Sequence, residues 1–423
     1  MDSLAARAGE TGGLPSHEVD AGTPAGAASD ARVAFYVDQP FHDAILRPVC
    51  SILRPQVNTI YTADRAEVVR FAPHVLVEAS FADLAYFRRH LPLTVIGSVD
   101  HGLTPKGGPR RIGLHADEAG KRFDFICVSD DNMANAFREA GVEPKEFWYT
   151  GYPQLDPLFR RDAPPVLGLD PAQPTVLFAP TWNAGFSAAP VLGKRVAQLI
   201  RGTRPRLNII IKPHPHMAVR RGRWMGWWRD LAERDPGVLL VADTSADVTP
   251  YLLAADVLVS DVSSVTFLYL ALDRPVVLVT NPHHRFDPAY DPDDLNWRWR
   301  DLATEVTDTS KLAGAVADAL AHPEARAETR QRYADSLFGP RRDGRNAQRI
   351  ADKINEKIAG MGATVPYAIT PRPAGRGLRA RWRNRNHRLV RNEFYLRHVK
   401  GLTEDARLWV RMARARLRQL LGR

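Results

Sequence analysis

The sequence predicts a two-lobed α/β protein, and three features predict it. Short β-rich apolar runs alternate with segments of helical spacing, the alternation passes through two cycles, and Pro164 and Pro165 stand between the cycles as a linker. In the first cycle the spans 32–37, 74–78, 93–98 and 125–129 read as strands. In the second, 175–179, 208–212, 238–242, 257–260 and 275–279 do so. Strands that are apolar along their length and separated by helices form a parallel sheet covered on both faces. The expected architecture is two Rossmann-like lobes facing a cleft, with ligand-binding residues just beyond the carboxyl ends of the strands. The expected division is a leader over residues 1–30, a first lobe over 31–165, a second over 166–345 and a basic helical extension over 346–423.

At 423 residues, with 44% hydrophobic and 25% charged, the chain can bury a core in each of two domains. Its longest apolar stretches, such as Leu252 to Val259, fall far short of the roughly 20 residues that cross a bilayer. The Ala-, Gly-, Ser- and Pro-containing start lacks the basic and apolar regions of a secretory signal, so a disordered leader and a cytoplasmic location are expected. Cys50 and Cys127 form no metal-type pair and point to neither a disulfide framework nor a zinc site. The net charge of +10 is concentrated at one end: residues 366–423 hold sixteen Lys and Arg against three acids, which leaves the remainder slightly acidic. Basicity is thus a property of the tail and not of an active-site groove.

Four segments at predicted strand ends carry chemistry. Asp100-His101-Gly102 places a histidine in a turn where glycine lets backbone approach a ligand, making His101 a candidate general base or simply a turn histidine. Ala179-Pro180-Thr181-Trp182 offers a hydroxyl and an aromatic where a buried strand exits, either as a phosphate contact or as an ordinary strand-end turn. Lys212-Pro213-His214-Pro215-His216 stiffens the backbone around a cation and two imidazoles, a set suited to a diphosphate. Two histidines that are two residues apart, with no completing ligands at usual spacings, are a poor metal site. Finally, a strand over 257–260 runs into Asp261-Val262-Ser263-Ser264 and a helix start, which reads as an anion cradle or as plain helix capping.

Taken in order, Asp100-His101-Gly102, Gly151-Tyr152-Pro153 with Asp156, the Ala-Pro-Thr-Trp and Lys-Pro-His-Pro segments, and Ser260-Asp261-Val262-Ser263-Ser264 with Arg274-Pro275 resemble the signature series of the CDP-glycerol glycerophosphotransferase (teichoic acid polymerase) family. The resemblance spans roughly Asp100 to Asn281. It implies the GT-B arrangement, with the nucleotide donor held mainly by the second lobe and no cofactor or metal. It also implies transfer of glycerol phosphate from CDP-glycerol, or a similar nucleotide-activated donor, to a hydroxyl of a lipid-linked or glycan acceptor. By position, His101 would deprotonate that hydroxyl, Lys212 and His214 would contact the donor phosphates and help CMP leave, and Gly102, Pro180, Thr181, Asp261, Ser263 and Ser264 would line the substrate site. Two positions depart from the family pattern: Gln154 stands where an arginine is usual, and Leu268 where an aspartate is usual. Loss of a cation and a carboxylate points to a different donor headgroup.

From Arg376 onward, arginines interleave with Trp382, Phe394, Trp409 and several leucines, a pattern of helices with cationic and apolar faces that suits an anionic membrane surface. A solvated helix packed on the first lobe is the plainer reading, and no recognised nucleic-acid-binding motif accompanies the tail. Trp224, Trp227 and Trp228 read as the core face of an amphipathic helix, with a second membrane contact or an acceptor platform as the alternatives. Two rival functions remain: a GT-B glycosyltransferase using a nucleotide-sugar, and a non-catalytic nucleotide-binding protein at the membrane.

Overall fold

The computed structural model describes residues 29–80, 83–99, 123–203, 206–362, 366–369 and 410. The expected leader up to residue 28, His101 and Gly102, and nearly all of the basic tail therefore lie outside the described residues, while Ser29 and Asp30, expected in the leader, belong to the first strand.

The first lobe is built from β1 (Ser29–Tyr36), β2 (Val57–Thr62), β3 (Val75–Glu78), β4 (Val95–Val99), β5 (Phe125–Val128) and β6 (Glu146–Tyr149), in the order β2-β1-β3-β4-β5-β6. Every pairing is parallel. Its connections include α1 (Asp43–Leu53), α2 (Arg65–Phe71), α3 (Leu84–His90), α4 (Asp131–Glu139) and α5 (Asp156–Arg160). Asp64 and Asp130 start α2 and α4 by accepting the backbone N–H groups of Ala66 and Met133. Gly97 is required by packing: a Cβ there would lie 2.0 Å from the Phe125 ring on the neighbouring strand, a ring that in turn stacks on Trp148 with centroids 3.5 Å apart.

The second lobe repeats the plan with β7 (Thr175–Phe178), β8 (Asn208–Ile211), β9 (Val238–Leu240), β10 (Val257–Ser260), β11 (Val276–Val279) and β12 (Thr304–Val306), in the order β12-β11-β10-β7-β8-β9 and again parallel. Around it lie α6 (Ala189–Leu192), α7 (Val196–Arg201), α8 (Pro215–Arg220), α9 (Gly222–Arg234), α10 (Thr249–Ala254), α11 (Val265–Tyr269), α12 (Leu295–Arg298) and α13 (Leu312–Ala321). The tryptophans of α9 divide by helical phase. Trp224 and Trp228 are buried, the latter edge-on to Phe178 at 5.9 Å, while Trp227 is half-buried.

Three strands were not expected: β2, β6 and β12, each at an edge of its sheet. Edge strands are only partly covered, so they lack the continuous apolar run that marks a central strand. The two lobes share one apolar cluster that includes Phe35 and Leu46 of the first and Leu177 and Phe267 of the second. Beyond the second sheet, α14 (Ala327–Phe338) packs on the second lobe and α15 (Asn346–Gly360) returns to the first. α15 buries Ala347, Ile350, Ala351 and Ile354 at helical spacing and packs on α1.

Candidate active site

The carboxyl ends of β7, β8, β9 and β10 converge on one set of loops, and buried polar contacts lock those loops together. Asp261, the first residue beyond β10, is 2% exposed and accepts from the Thr181 N–H at 3.0 Å, the Ala188 N–H at 2.7 Å and the Val262 N–H at 2.6 Å. Ser260 adds a hydroxyl hydrogen bond to the Ala179 carbonyl at 2.7 Å. Burial pushes the Asp261 carboxyl up to about 6, and the three N–H groups oppose that rise by favouring the charged form. Its oxygens are therefore occupied in shaping the 180–188 loop, so Asp261 positions the site through Thr181. Asn281, beyond β11, secures the same loop from the other side by donating to the Ala184 and Ser187 carbonyls at 3.0 and 2.9 Å.

Lys212 leaves β8 almost fully buried, and its ammonium donates to the Thr244 carbonyl at 2.9 Å and the Pro213 carbonyl at 3.4 Å. Burial pulls its pKa down to about 8, with Asp243 and Asp247 pulling in the other direction. His214 caps α8: its Nδ1 accepts from the His216 N–H at 3.2 Å, which leaves the proton of the neutral ring on Nε2. Trp182 lies against both imidazoles, with ring centroids 6.4 Å from His214 and 5.5 Å from His216. Pro180 and Thr181 thus stand between the β10 exit and the Lys212-His214 segment.

Ser263 and Ser264 complete this edge where α11 begins. Ser263 is 3% exposed and accepts from the Val265 N–H at 3.5 Å. Ser264 is half-buried, and its hydroxyl makes no hydrogen bond among the described residues. The second lobe therefore presents a cation, an imidazole N–H and a free hydroxyl from two strand ends, a set that can bind and neutralise a diphosphate. No group of three or more His, Cys, Asp or Glu side chains suited to a metal occurs among the described residues.

The two departures have structural explanations. Gln154 donates to Asp247 at 2.8 Å and so ties the lobe junction to the loop after β9. Leu268 is buried in the apolar cluster shared by the lobes. The Gly151-Tyr152-Pro153 and Asp156 motif is also structural here. Asp156 accepts from the Asn346 and Ala347 N–H groups at 2.9 and 2.8 Å and so holds the first turn of α15.

Sequence reasoning missed the residues that follow β1 in the first lobe. Directly after β1, Asp38 and His42 form a buried pair at 2.9 Å, and Phe41 between them reaches His216 across the cleft, edge to face at 6.2 Å. No motif marks these residues. Only their position immediately after a central strand singles them out.

A family model described as CDP-Glycerol:Poly(glycerophosphate) glycerophosphotransferase matches residues 92–356. The chain is 25% identical over 166 residues to the teichoic acid glycerol-phosphate primase of Bacillus subtilis (strain 168), a match covering 37% of this chain and 40% of that relative's length. Among solved structures, the wall teichoic acid polymerase TagF superimposes with a TM-score of 0.63 at 14% identity, covering 80% of this chain and 91% of that one. A putative UDP-N-acetylglucosamine 2-epimerase from Listeria monocytogenes does so at 0.54 and 14% identity, covering 81% and 99%. At those identities the structures establish the fold, two Rossmann-like lobes of the GT-B type. The match to well over half of the chain establishes the family: this chain belongs to the CDP-Glycerol:Poly(glycerophosphate) glycerophosphotransferases.

Proposed function

We propose that this protein transfers glycerol phosphate, or a related polyol phosphate, from a CDP-linked donor to a hydroxyl of a lipid-linked or cell-envelope glycan acceptor, releasing CMP. The observation that carries the reading is the convergence of Lys212, His214, Thr181 and Ser264 at the carboxyl edge of the second sheet, within a chain of this family. In the reaction the acceptor oxygen attacks the glycerol-bearing phosphorus, and the bond from that phosphorus to the CMP oxygen breaks. His101 takes the acceptor proton. Lys212 and the Nε2–H of His214 neutralise charge on the departing CMP, while Ser263, Ser264 and the loop of Pro180 and Thr181 hold the diphosphate in line, with Gly102 allowing close approach beside His101.

The first lobe is assigned to the acceptor and the second to the donor, divided near residue 165. Among the described residues no helix is long and apolar enough to cross a membrane. A peripheral location on the inner face of the cell membrane is proposed, with the basic residues beyond 366 meeting anionic headgroups.

The testing experiment is CMP release from CDP-glycerol by the purified chain with a membrane extract, comparing it with His101→Ala and His214→Ala. Release that disappears in both variants supports the assignment. Undiminished release in either one removes that histidine from the mechanism.

A second reading rests on Gln154 and Leu268, since the GT-B fold also serves nucleotide-sugars. Consumption of a UDP-sugar while CDP-glycerol and CDP-ribitol are left intact would select it.

A further inference from the structure

Three central strands of the first sheet end in polar side chains on one face. Alternation along a strand places Tyr36 of β1, Glu78 of β3 and Ser98 of β4 on the face shared with Ala34, Leu76 and Ile96, and the registers set Tyr36 and Ser98 on either side of Glu78. Glu78 and Ser98 are both 0% exposed. Among the described residues neither carboxyl oxygen of Glu78 has a hydrogen-bond partner, and neither does the Ser98 hydroxyl. Tyr36 is satisfied differently, by donating to Asp83 at 2.6 Å.

Such a pair is costly. An unpartnered buried polar group costs about 1–3 kcal/mol, and native proteins leave few of them without a reason. Adjacent parallel strands run about 4.8 Å apart, so one small group with hydroxyl character can reach both side chains. The position is also the one where sheets of this type receive ligands, at the carboxyl ends of the central strands.

We propose that Glu78 and Ser98 are a hydroxyl-reading subsite for the acceptor, which takes an uncharged polyol end of the growing or priming chain. This rests on the transferase reading above and extends it to acceptor choice. The chemistry selects a neutral alcohol over a phosphate. Burial opposes a negative charge on Glu78 most, and Asp38 and Asp83 add to it against the smaller favourable field of Arg88. The nearby cations are engaged, Arg65 with Asp83 at 3.0 Å and Arg88 with Asp124 at 2.7 Å, so the field of Arg88 offsets burial and the two aspartates only in part. A protonated carboxyl and a serine hydroxyl can each donate and accept, as an alcohol does.

The test uses the full chain with separate KM measurements for donor and acceptor, alongside thermal melts, for Glu78→Leu, Glu78→Gln and Ser98→Ala. Glu78→Leu is expected to raise the acceptor KM about ten-fold or more, leave the donor KM unchanged, and leave the melting temperature equal or higher, because an apolar replacement removes an unpaired buried group. Glu78→Gln, which keeps a donor and an acceptor, is expected to restore the acceptor KM to within about three-fold, and Ser98→Ala to raise it about three- to ten-fold. Should the leucine variant fail to fold, the glutamine and alanine variants still decide the matter. An unchanged acceptor KM in Ser98→Ala and Glu78→Leu would show that the pair holds only a buried water and would overturn the proposal. Equal changes in both KM values would overturn it too. Calorimetric binding of glycerol and ribitol to the same proteins without donor separates this outcome from failure of the transferase reading: Glu78-dependent polyol binding with no CMP release would sink only the latter.

Discussion

The Phe41 ring of the first lobe meets the His216 imidazole of the second edge to face, with centroids 6.2 Å apart. His216 also touches Trp182 and His214, so this one contact links the exit of β1 to the segment that carries Lys212 and His214. Aromatic pairs of this geometry contribute about 0.5–1.5 kcal/mol. Phe41→Ala should lower kcat/KM for transfer by roughly three- to ten-fold, the rate equivalent of that energy, with little change in the melting temperature. Unaltered kinetics would mean that the contact does not help set the cleft.

On the proposed donor-binding role of Lys212, donor affinity should depend on pH. Its ammonium titrates at about 8 instead of 10.5 because it is buried, so donor binding should weaken as pH rises through about 8. In Lys212→Met the affinity should be about a hundred-fold lower and flat across that range. Stability should respond in the opposite direction. The unfolded chain keeps the proton up to about 10.5, so between 8 and 10.5 it binds more protons than the native state, and this group's contribution to stability rises with pH there. Chemical denaturation at a series of pH values should show that slope in the parent and lose it in Lys212→Met.

Asp261 slopes the other way. Its carboxyl titrates at about 6 when folded against an ordinary 3.8, so between those values the native state holds the extra proton, and its contribution to stability falls as pH rises. Asp261→Asn should remove that slope. It should also turn an amide NH2 toward one of the backbone donors of Thr181 or Ala188, costing about 1–3 kcal/mol and lowering transfer at least ten-fold as the 180–188 loop loosens. Equilibrium melts from pH 4 to 7 with matched activity assays check both parts. Full activity would show that the loop does not depend on this carboxylate.

Gly151 and Asp156 should prove to be residues of stability. Gly151 has φ +80°, and a Cβ there would lie 2.2 Å from Asn346 Oδ1, so Gly151→Ala should cost about 2–4 kcal/mol. Asp156→Ala should cost about 1–2 kcal/mol by releasing the start of α15. Urea unfolding measures both, and any surviving folded protein should keep its donor KM.

The central strands were legible because they are apolar on both faces, and β7, β8, β10 and β11 lie where the pattern placed them. The edge strand β6 reads Glu-Phe-Trp-Tyr and was invisible to the same criterion. Lys212 and His214 were legible as candidates from their proline-stiffened setting. Asp261 was legible as important, but whether it touches a substrate or holds a loop depends on Thr181 and Ala188, which lie 80 and 73 residues away. Glu78 gave no signal, since one acid at the end of an apolar strand looks like the start of a turn.

Local pattern alone determined that this chain forms two parallel α/β halves, because strand and helix periodicities and the turn residues between them act over a few positions. Strand order and lobe packing act over much longer separations. They decided that Lys212 meets Thr244, that Thr181 meets Asp261, and that Phe41 meets His216. A sheet in the order β12-β11-β10-β7-β8-β9 brings together loops that the chain writes far apart, and burial at their meeting point shifts Lys212 and Asp261 from their ordinary protonation.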